Sequence, residues 1–359
     1  MPITTIDYTN WRGERGLRQI QIEQIVYRES EWHAGPQWIV EAYDQERGAL
    51  REFAARDIHS CHAQDHLDSH GTDQPLDEVI EAARKNQREL PGFSIAMQQQ
   101  ALIELADCGL GQFYLRNRGL NGYWIDYIVT HPDQREERQN LSTAERFLLE
   151  EAPLSLATQE RHRHFHAAIR AHVRPGMTLA SVPCGLMGEL LLSGLPEVKL
   201  IGIDLDPEAL LLAAKRAEEA GLAQQTTLYL RDAWELGMNE EVDLLTSNGL
   251  SIYIDDDERV LALFREFYQA LKPGGLLITS TLTPPPTLDP QSEWRMEAID
   301  LVALAKQKLL ISDLVQANFA ALRSSTRVAE LLQAAGFDLA EVIADRAGLF
   351  PSLIARKPG

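Results

Sequence analysis

Apolar positions along this chain change their period twice. In the first sixty residues they alternate with polar ones: Ile20 and Ile22 lead to Ile25, then Gln37-Trp38-Ile39-Val40-Glu41-Ala42-Tyr43, then Leu50-Arg51-Glu52-Phe53. A two-residue period is that of half-buried strands. The turn-forming run Asp44-Gln45-Glu46-Arg47-Gly48 separates the last two, so a small twisted sheet or barrel is predicted. A polar stretch, 59–74, reads as a linker. From Leu76 the apolar positions recur every three or four residues (Val79, Ile80, Ala83, then Leu102, Leu105), with Pro91-Gly92 dividing two helices. Residues 109–124 are dense in Gly, Asn and aromatics, poor helix formers, and predict a loop. A helix is expected over 155–172.

Beyond Met177 the two habits alternate. Strands are predicted at 178–183, 199–204, 226–231, 242–246 and 275–281, with helices at 186–192, 207–220 and 257–271. That order predicts an α/β doubly wound parallel sheet. Runs such as Val242-Asp243-Leu244-Leu245 and Leu276-Leu277-Ile278 suit strands covered on both faces. The resulting division is a β-barrel-like module (1–60), a linker (61–75), a helical cap (76–154) and a Rossmann-like domain (155–359), consistent with the length of 359 residues.

Charge narrows the partners. Asp and Glu number 53 against 34 Lys and Arg, a formal charge of -19, and that field repels a phosphate backbone. A small molecule is therefore expected as substrate rather than nucleic acid. The N-terminus shows no signal-peptide pattern and no stretch reaches the ~18 apolar residues of a membrane span. Cys61, Cys108 and Cys184 are odd in number and far apart, so no disulfide framework is expected, and the cytoplasm is the expected compartment. Two histidine groups invite a metal reading: His59, His62, His66 and His70 with Cys61, and His162 with His166. The first runs into Gly71, Asp73 and Pro75 without a Cys-x-x-Cys pair, and the second has no third ligand. A solvated linker and a basic, solvated helix face are expected instead, and no metal.

The first strand-turn-helix is Leu179-Ala180-Ser181-Val182-Pro183-Cys184-Gly185-Leu186-Met187-Gly188. Glycine there lets a ligand approach the backbone. The second strand ends in Asp204-Leu205-Asp206, where a Rossmann-like sheet places a carboxylate for a ribose diol. The third ends in Asp232-Ala233-Trp234, offering a second carboxylate for an adenine amino group and an indole for the ring face.

Two resemblances follow. Tyr8-Thr9-Asn10-Trp11-Arg12-Gly13-Glu14, Trp38 to Asp44, Arg51-Glu52-Phe53 and Arg56-Asp57-Ile58 resemble a WYL-type domain, which implies a ligand- or nucleic-acid-sensing module; the plainer alternative is a small β-module that only packs or self-associates. Five landmarks in order resemble the class I S-adenosylmethionine-dependent methyltransferases. These are Pro183-Cys184-Gly185, Asp204, Asp232, Ser247-Asn248-Gly249 and Leu271-Lys272-Pro273-Gly274-Gly275. The resemblance implies S-adenosylmethionine as cofactor, held by Pro183, Cys184, Gly185, Gly188, Asp204, Leu205, Asp232, Ala233, Trp234, Ser247 and Asn248. Departures fall in the first turn: Ser181 stands at the family's acidic position, Pro183 at its first glycine, and Met187 near its last. An acceptor pocket is expected beyond the fourth and fifth strands, from Tyr253, Arg323 and an insertion of about 40 residues that is expected to act as a lid. Asn121, Tyr123 and Trp124 are expected to cover it from the cap. No catalytic base stands out. The rival expectations are a non-catalytic sensor of the cofactor and a protein methyltransferase.

Overall fold

One strand of sixteen residues joins two structures that the hydrophobic pattern keeps apart. The computed structural model describes residues 3–30, 33–63, 75–191, 197–319 and 321–359. Within them β1 (Thr4–Thr9), β2 (Arg15–Ser30), β3 (His33–Asp44), β4 (Ala49–Ala54) and β5 (Ile58–Ala63) form an antiparallel unit. Ile20, Ile22 and Ile25 of β2 are wholly buried, which is the inward face that the alternation marked. Strand β5 carries 61–63, so these residues are not linker, and His59 shares a hydrogen bond with Thr9 Oγ1. His66, His70 and the rest of the expected linker, 64–74, lie outside the described residues.

Helices follow: α1 (Leu76–Arg84), α2 (Ile95–Ala106), α3 (Gly109–Asn117), α4 (Gly122–Thr130), α5 (Thr143–Glu150) and α6 (Pro153–His172). The loop expected at 109–124 is thus two helices with a short turn between them. Its glycines serve close packing rather than flexibility. A Cβ at Gly111 would lie 2.1 Å from the Leu105 carbonyl oxygen, and one at Gly109 would lie 2.9 Å from the Trp124 ring. Asn121 caps α4 by accepting from the Trp124 N–H at 3.1 Å. Tertiary contact has overridden weak propensity here.

The α/β part runs β6 (Thr178–Ser181), α7 (Gly188–Leu191), β7 (Lys199–Asp204), α8 (Pro207–Glu219), β8 (Thr226–Leu230), β9 (Val242–Ser247), α9 (Asp257–Ala270) and β10 (Leu271–Ser280). It ends with α10 (Leu301–Gln307), α11 (Ser325–Ala334), β11 (Asp338–Ile343) and β12 (Ser352–Arg356). The order is β11-β12-β10-β9-β6-β7-β8, with β12 antiparallel between its neighbours and β6 to β10 parallel. This is the expected Rossmann-like sheet, and two C-terminal strands complete it.

Chain order reverses between β6 and β9, so the crevice beyond their carboxyl ends is where this architecture takes a ligand. At the other edge β2 pairs antiparallel with β8, Gln24 opposite Tyr229 and Val26 opposite Thr227. The sheet therefore continues into the N-terminal unit. One buried cluster contains Ile6, Ile22 and Trp38 together with Phe165, Leu200 and Leu228.

A second cluster seats the cap on the insertion after β10: Leu102, Tyr114 and Phe147 with Leu309, Leu310 and Leu314. No helix among the described residues is long and apolar enough to cross a membrane.

Candidate functional site

Strand β6 stops at Ser181 and the chain turns through Pro183, Cys184 and Gly185. Gly185 has φ +48°, in the region that favours glycine. Its N–H donates to Asp204 Oδ2 at 2.8 Å, and Asp206 N–H donates to Oδ1 at 3.0 Å. One carboxylate thus ties the turn to the end of β7. Burial pushes the Asp204 carboxyl up to about 6, against the backbone N–H groups that hold it ionised. Met187 supplies the second oddity of the turn. It holds φ +56° without being glycine, and its side chain is wholly buried, close to where a Cβ on Gly202 would fall. Packing thus holds the turn where the family resemblance would place a glycine.

The cap touches this turn backbone to backbone. A Cβ at Gly122, the first residue of α4, would lie 2.8 Å from Gly185 Cα. Beside it Asp126 of α4 makes a two-point ion pair with Arg216 of α8, Nη2 to Oδ2 at 2.6 Å. Between cap and sheet lies a cavity of about 540 Å³. Its floor includes Pro183, Cys184, Gly185, Gly188, Asp204 and Leu205, with Asn248 beyond β9. Its roof includes Asn121 and Tyr253, with Asn318 and Phe319 from the insertion.

The remaining expected residues are elsewhere. Asp232 is exposed and accepts the N–H of Trp234, whose indole donates to the Arg259 carbonyl. Ala233 and Ser247 are buried, and Ser247 gives its carbonyl to Thr279 Oγ1. None of these four is on the cavity wall. Of the acceptor candidates, Trp124 packs edge-on against Tyr123 and Tyr127 within the cap, and Tyr123 faces outward, 45% exposed. Arg323 is buried, but its Nε donates to Asp257 at 2.6 Å and its Nη1 to the Ser251 carbonyl. None of these three lines the cavity: cap packing and an ion pair engage them. Trp294 of the insertion likewise donates its indole N–H to Thr283 Oγ1.

Two site residues were not anticipated. Glu189, in α7, is 8% exposed and lines the cavity; its Oε1 accepts from Ser181 Oγ at 3.0 Å and Thr246 Oγ1 at 2.8 Å. Burial raises its carboxyl above the usual range, against those hydroxyls and Arg161. Arg161, in α6, is 2% exposed and stacks on Phe350 at 3.7 Å. Among the described residues, its buried Nε and Nη1 have no hydrogen-bond partner. Burial lowers the group to about 10, so it is still charged at neutral pH.

The helix face expected to be solvated is therefore buried, because α6 lies between cap and sheet. His162 and His166 share a hydrogen bond, Nε2 to Nε2 at 3.0 Å, and burial takes His162 down to about 3, so its ring is neutral. The cavity offers backbone donors at a glycine turn, a carboxylate at the end of β7 and two buried charges of opposite sign. That set suits a polar ligand of nucleoside size carrying its own charges.

Residues 183–275 match a family model described as a methyltransferase domain. A crystal structure of a possible exported protein from Bordetella parapertussis is similar at 48% identity and TM-score 0.76, covering 79% of this chain and 96% of that one. The biotin biosynthesis bifunctional protein BioHC of Teredinibacter turnerae is 34% identical over 129 residues, 34% of this chain and 22% of that protein. The chain thus spans about a fifth of the length of that curated relative.

Proposed function

We propose that this chain, which belongs to one family with the Bordetella parapertussis protein and carries a class I methyltransferase domain, transfers the methyl group of S-adenosylmethionine to a small molecule. The observation that carries the reading is the cavity itself. It sits at the switch point between β6 and β9, with a glycine turn and Asp204 on its floor, and helices and the 318–319 segment line its other side. Asp204 would hold the ribose diol, and the turn 183–185 would face the cofactor's sulfur side. When bound, the cofactor supplies an electrophilic methyl on a sulfonium, so the protein has chiefly to position the acceptor and exclude water.

His162 is held neutral and hydrogen-bonded to His166, which makes it a weak base. An acceptor that brings its own unprotonated lone pair fits such a site. The roof and the charge of -19 support a small molecule over a nucleic acid or a protein client. We assign the N-terminal strands a structural part, covering the β8 edge, rather than self-association or the sensing that a WYL-type module implies. Three buried, unpaired cysteines suit the cytoplasm, which we propose as its compartment.

The test is calorimetric titration with S-adenosylmethionine and S-adenosylhomocysteine, on the intact protein and on Asp204→Ala. Transfer of labelled methyl groups to fractionated small metabolites would follow. Micromolar binding lost in the variant supports the reading. Absence of binding by the folded parent protein refutes it, and binding without transfer to any fraction favours the sensor.

A further inference from the structure

Two opposite charges are buried in the cavity without meeting. Glu189 enters from α7 beside the ends of β6 and β9, and Arg161 enters from α6 over Phe350. Each is within electrostatic reach of the other, yet no ion pair joins them, and two donor nitrogens of Arg161 have no hydrogen-bond partner among the described residues. A buried guanidinium with orphaned donors is costly to keep and would be offset by an anion. A buried carboxylate would likewise be offset by a cation. A ligand with one of each, held a few bonds apart, answers both.

We propose that Glu189 and Arg161 clamp the α-amino-acid end of the adenosyl cofactor, the Glu189 carboxylate taking the ammonium and the Arg161 guanidinium taking the carboxylate. This rests on the cofactor reading above. The placement of Glu189 accounts for the departure in the first turn. Ser181 has no charge to offer at the end of β6, but its hydroxyl donates to Glu189 Oε1, and Thr246 at the end of β9 donates to the same atom. The two hydroxyls thereby fix Oε1 of a carboxylate from the following helix at the end of β6, and the Asn248 side chain hydrogen-bonds the same carboxylate. Arg161 stacks on the Phe350 ring, and Gly249 leaves room for its guanidinium, since a Cβ there would lie 3.3 Å from Nη1. Its planar fork suits a carboxylate.

Three ligands separate the two contacts. S-Adenosylhomocysteine carries both charges, S-adenosyl-3-thiopropylamine keeps the ammonium alone, and 5′-methylthioadenosine has neither. Glu189→Gln is expected to weaken the first two by about 10–100-fold and spare the third, the range of a charge-assisted hydrogen bond. Arg161→Met is expected to weaken S-adenosylhomocysteine alone by a similar factor, and Arg161→Lys to recover part of it. Retained binding of 5′-methylthioadenosine reports an intact fold. Should Arg161→Met not fold, Glu189→Gln and Arg161→Lys carry the comparison. Unchanged S-adenosylhomocysteine affinity in the variants overturns the clamp, as does equal affinity of the parent protein for all three ligands. A parent protein that binds none of them overturns the cofactor reading itself.

Discussion

Replacing Gly122 by alanine asks whether the contact between cap and glycine turn is as tight as it looks. On helix propensity alone the change should help, since a glycine in a helix that an alanine can replace without strain costs about 0.5–1 kcal/mol. Gly122 does not have a positive φ, so its backbone conformation is open to alanine. The new Cβ, however, would lie 2.8 Å from Gly185 Cα and 3.5 Å from its carbonyl carbon. Both are backbone atoms, so no rotamer change can make room, and overpacking of this kind costs about 1–3 kcal/mol. The contact should win. The expected net loss is roughly 0.5–2 kcal/mol, seen as a fall in Tm of a few degrees.

Relief has to come from moving α4 off the turn or displacing Gly185, whose N–H holds Asp204. Affinity for S-adenosylhomocysteine should therefore fall with stability. The assay is a thermal melt and a titration on the same sample. Gly16→Ala serves as control, because its Cβ would meet only the end of the Arg18 side chain at 3.6 Å. A Gly122→Ala protein that melts at or above the parent and binds undiminished would refute the close-approach argument.

Three further outcomes are expected. The Asp204 carboxyl, raised to about 6 by burial, favours the folded state in its protonated form; that contribution is full below the ordinary value of 3.8 and lost as pH rises through about 6. A ribose diol wants the ionised form, so S-adenosylhomocysteine affinity should drop below about pH 6 in titrations from pH 5 to 8, and a flat profile would count against Asp204 as the ribose ligand. Breaking the partly buried ion pair with Asp126→Asn or Arg216→Met should cost about 1–3 kcal/mol in denaturant titration, and a double-mutant cycle without coupling would show that the pair does not tether α4 to α8. Gly111→Ala would place a Cβ 2.1 Å from the Leu105 carbonyl oxygen, so a loss above about 3 kcal/mol or failure to fold is expected, and a normal melt would contradict the packing of α3 on α2.

What could be read in advance followed from periodicity. The N-terminal strands and the βα alternation show in apolar spacing, and Asp204 shows because it ends a strand about 20 residues after the turn. Residues 109–124 misled because composition reports propensity, whereas Gly109 and Gly111 are there to let Trp124 and Leu105 approach. Glu189 was hidden because a glutamate opening a helix reads as a solvent-facing residue. The one hint was the missing acid at Ser181, which asks where a replacement comes from. Arg161 sits in a run of basic residues that resembles a wet face, but Ala157, Phe165 and Ala168 around it are buried. Tyr123, Trp124 and Arg323 are chemically apt for a pocket, and only the fold could show that cap packing and Asp257 had already taken them.

Strand β2 also orders events in time. Its partner β8 lies about 200 residues further along the chain, so on the ribosome the first strands emerge long before their neighbour exists. Through that interval the middle of β2, with Ile25 wholly buried in the finished protein, presents an unmatched strand edge and apolar surface. The helices of the cap are mostly local structures and can form meanwhile. Closure of the sheet has to wait for β6 and β7 to be laid down and for β8 to arrive. A stall in synthesis before residue 226 would leave a nascent chain with an open edge, a natural client for a chaperone.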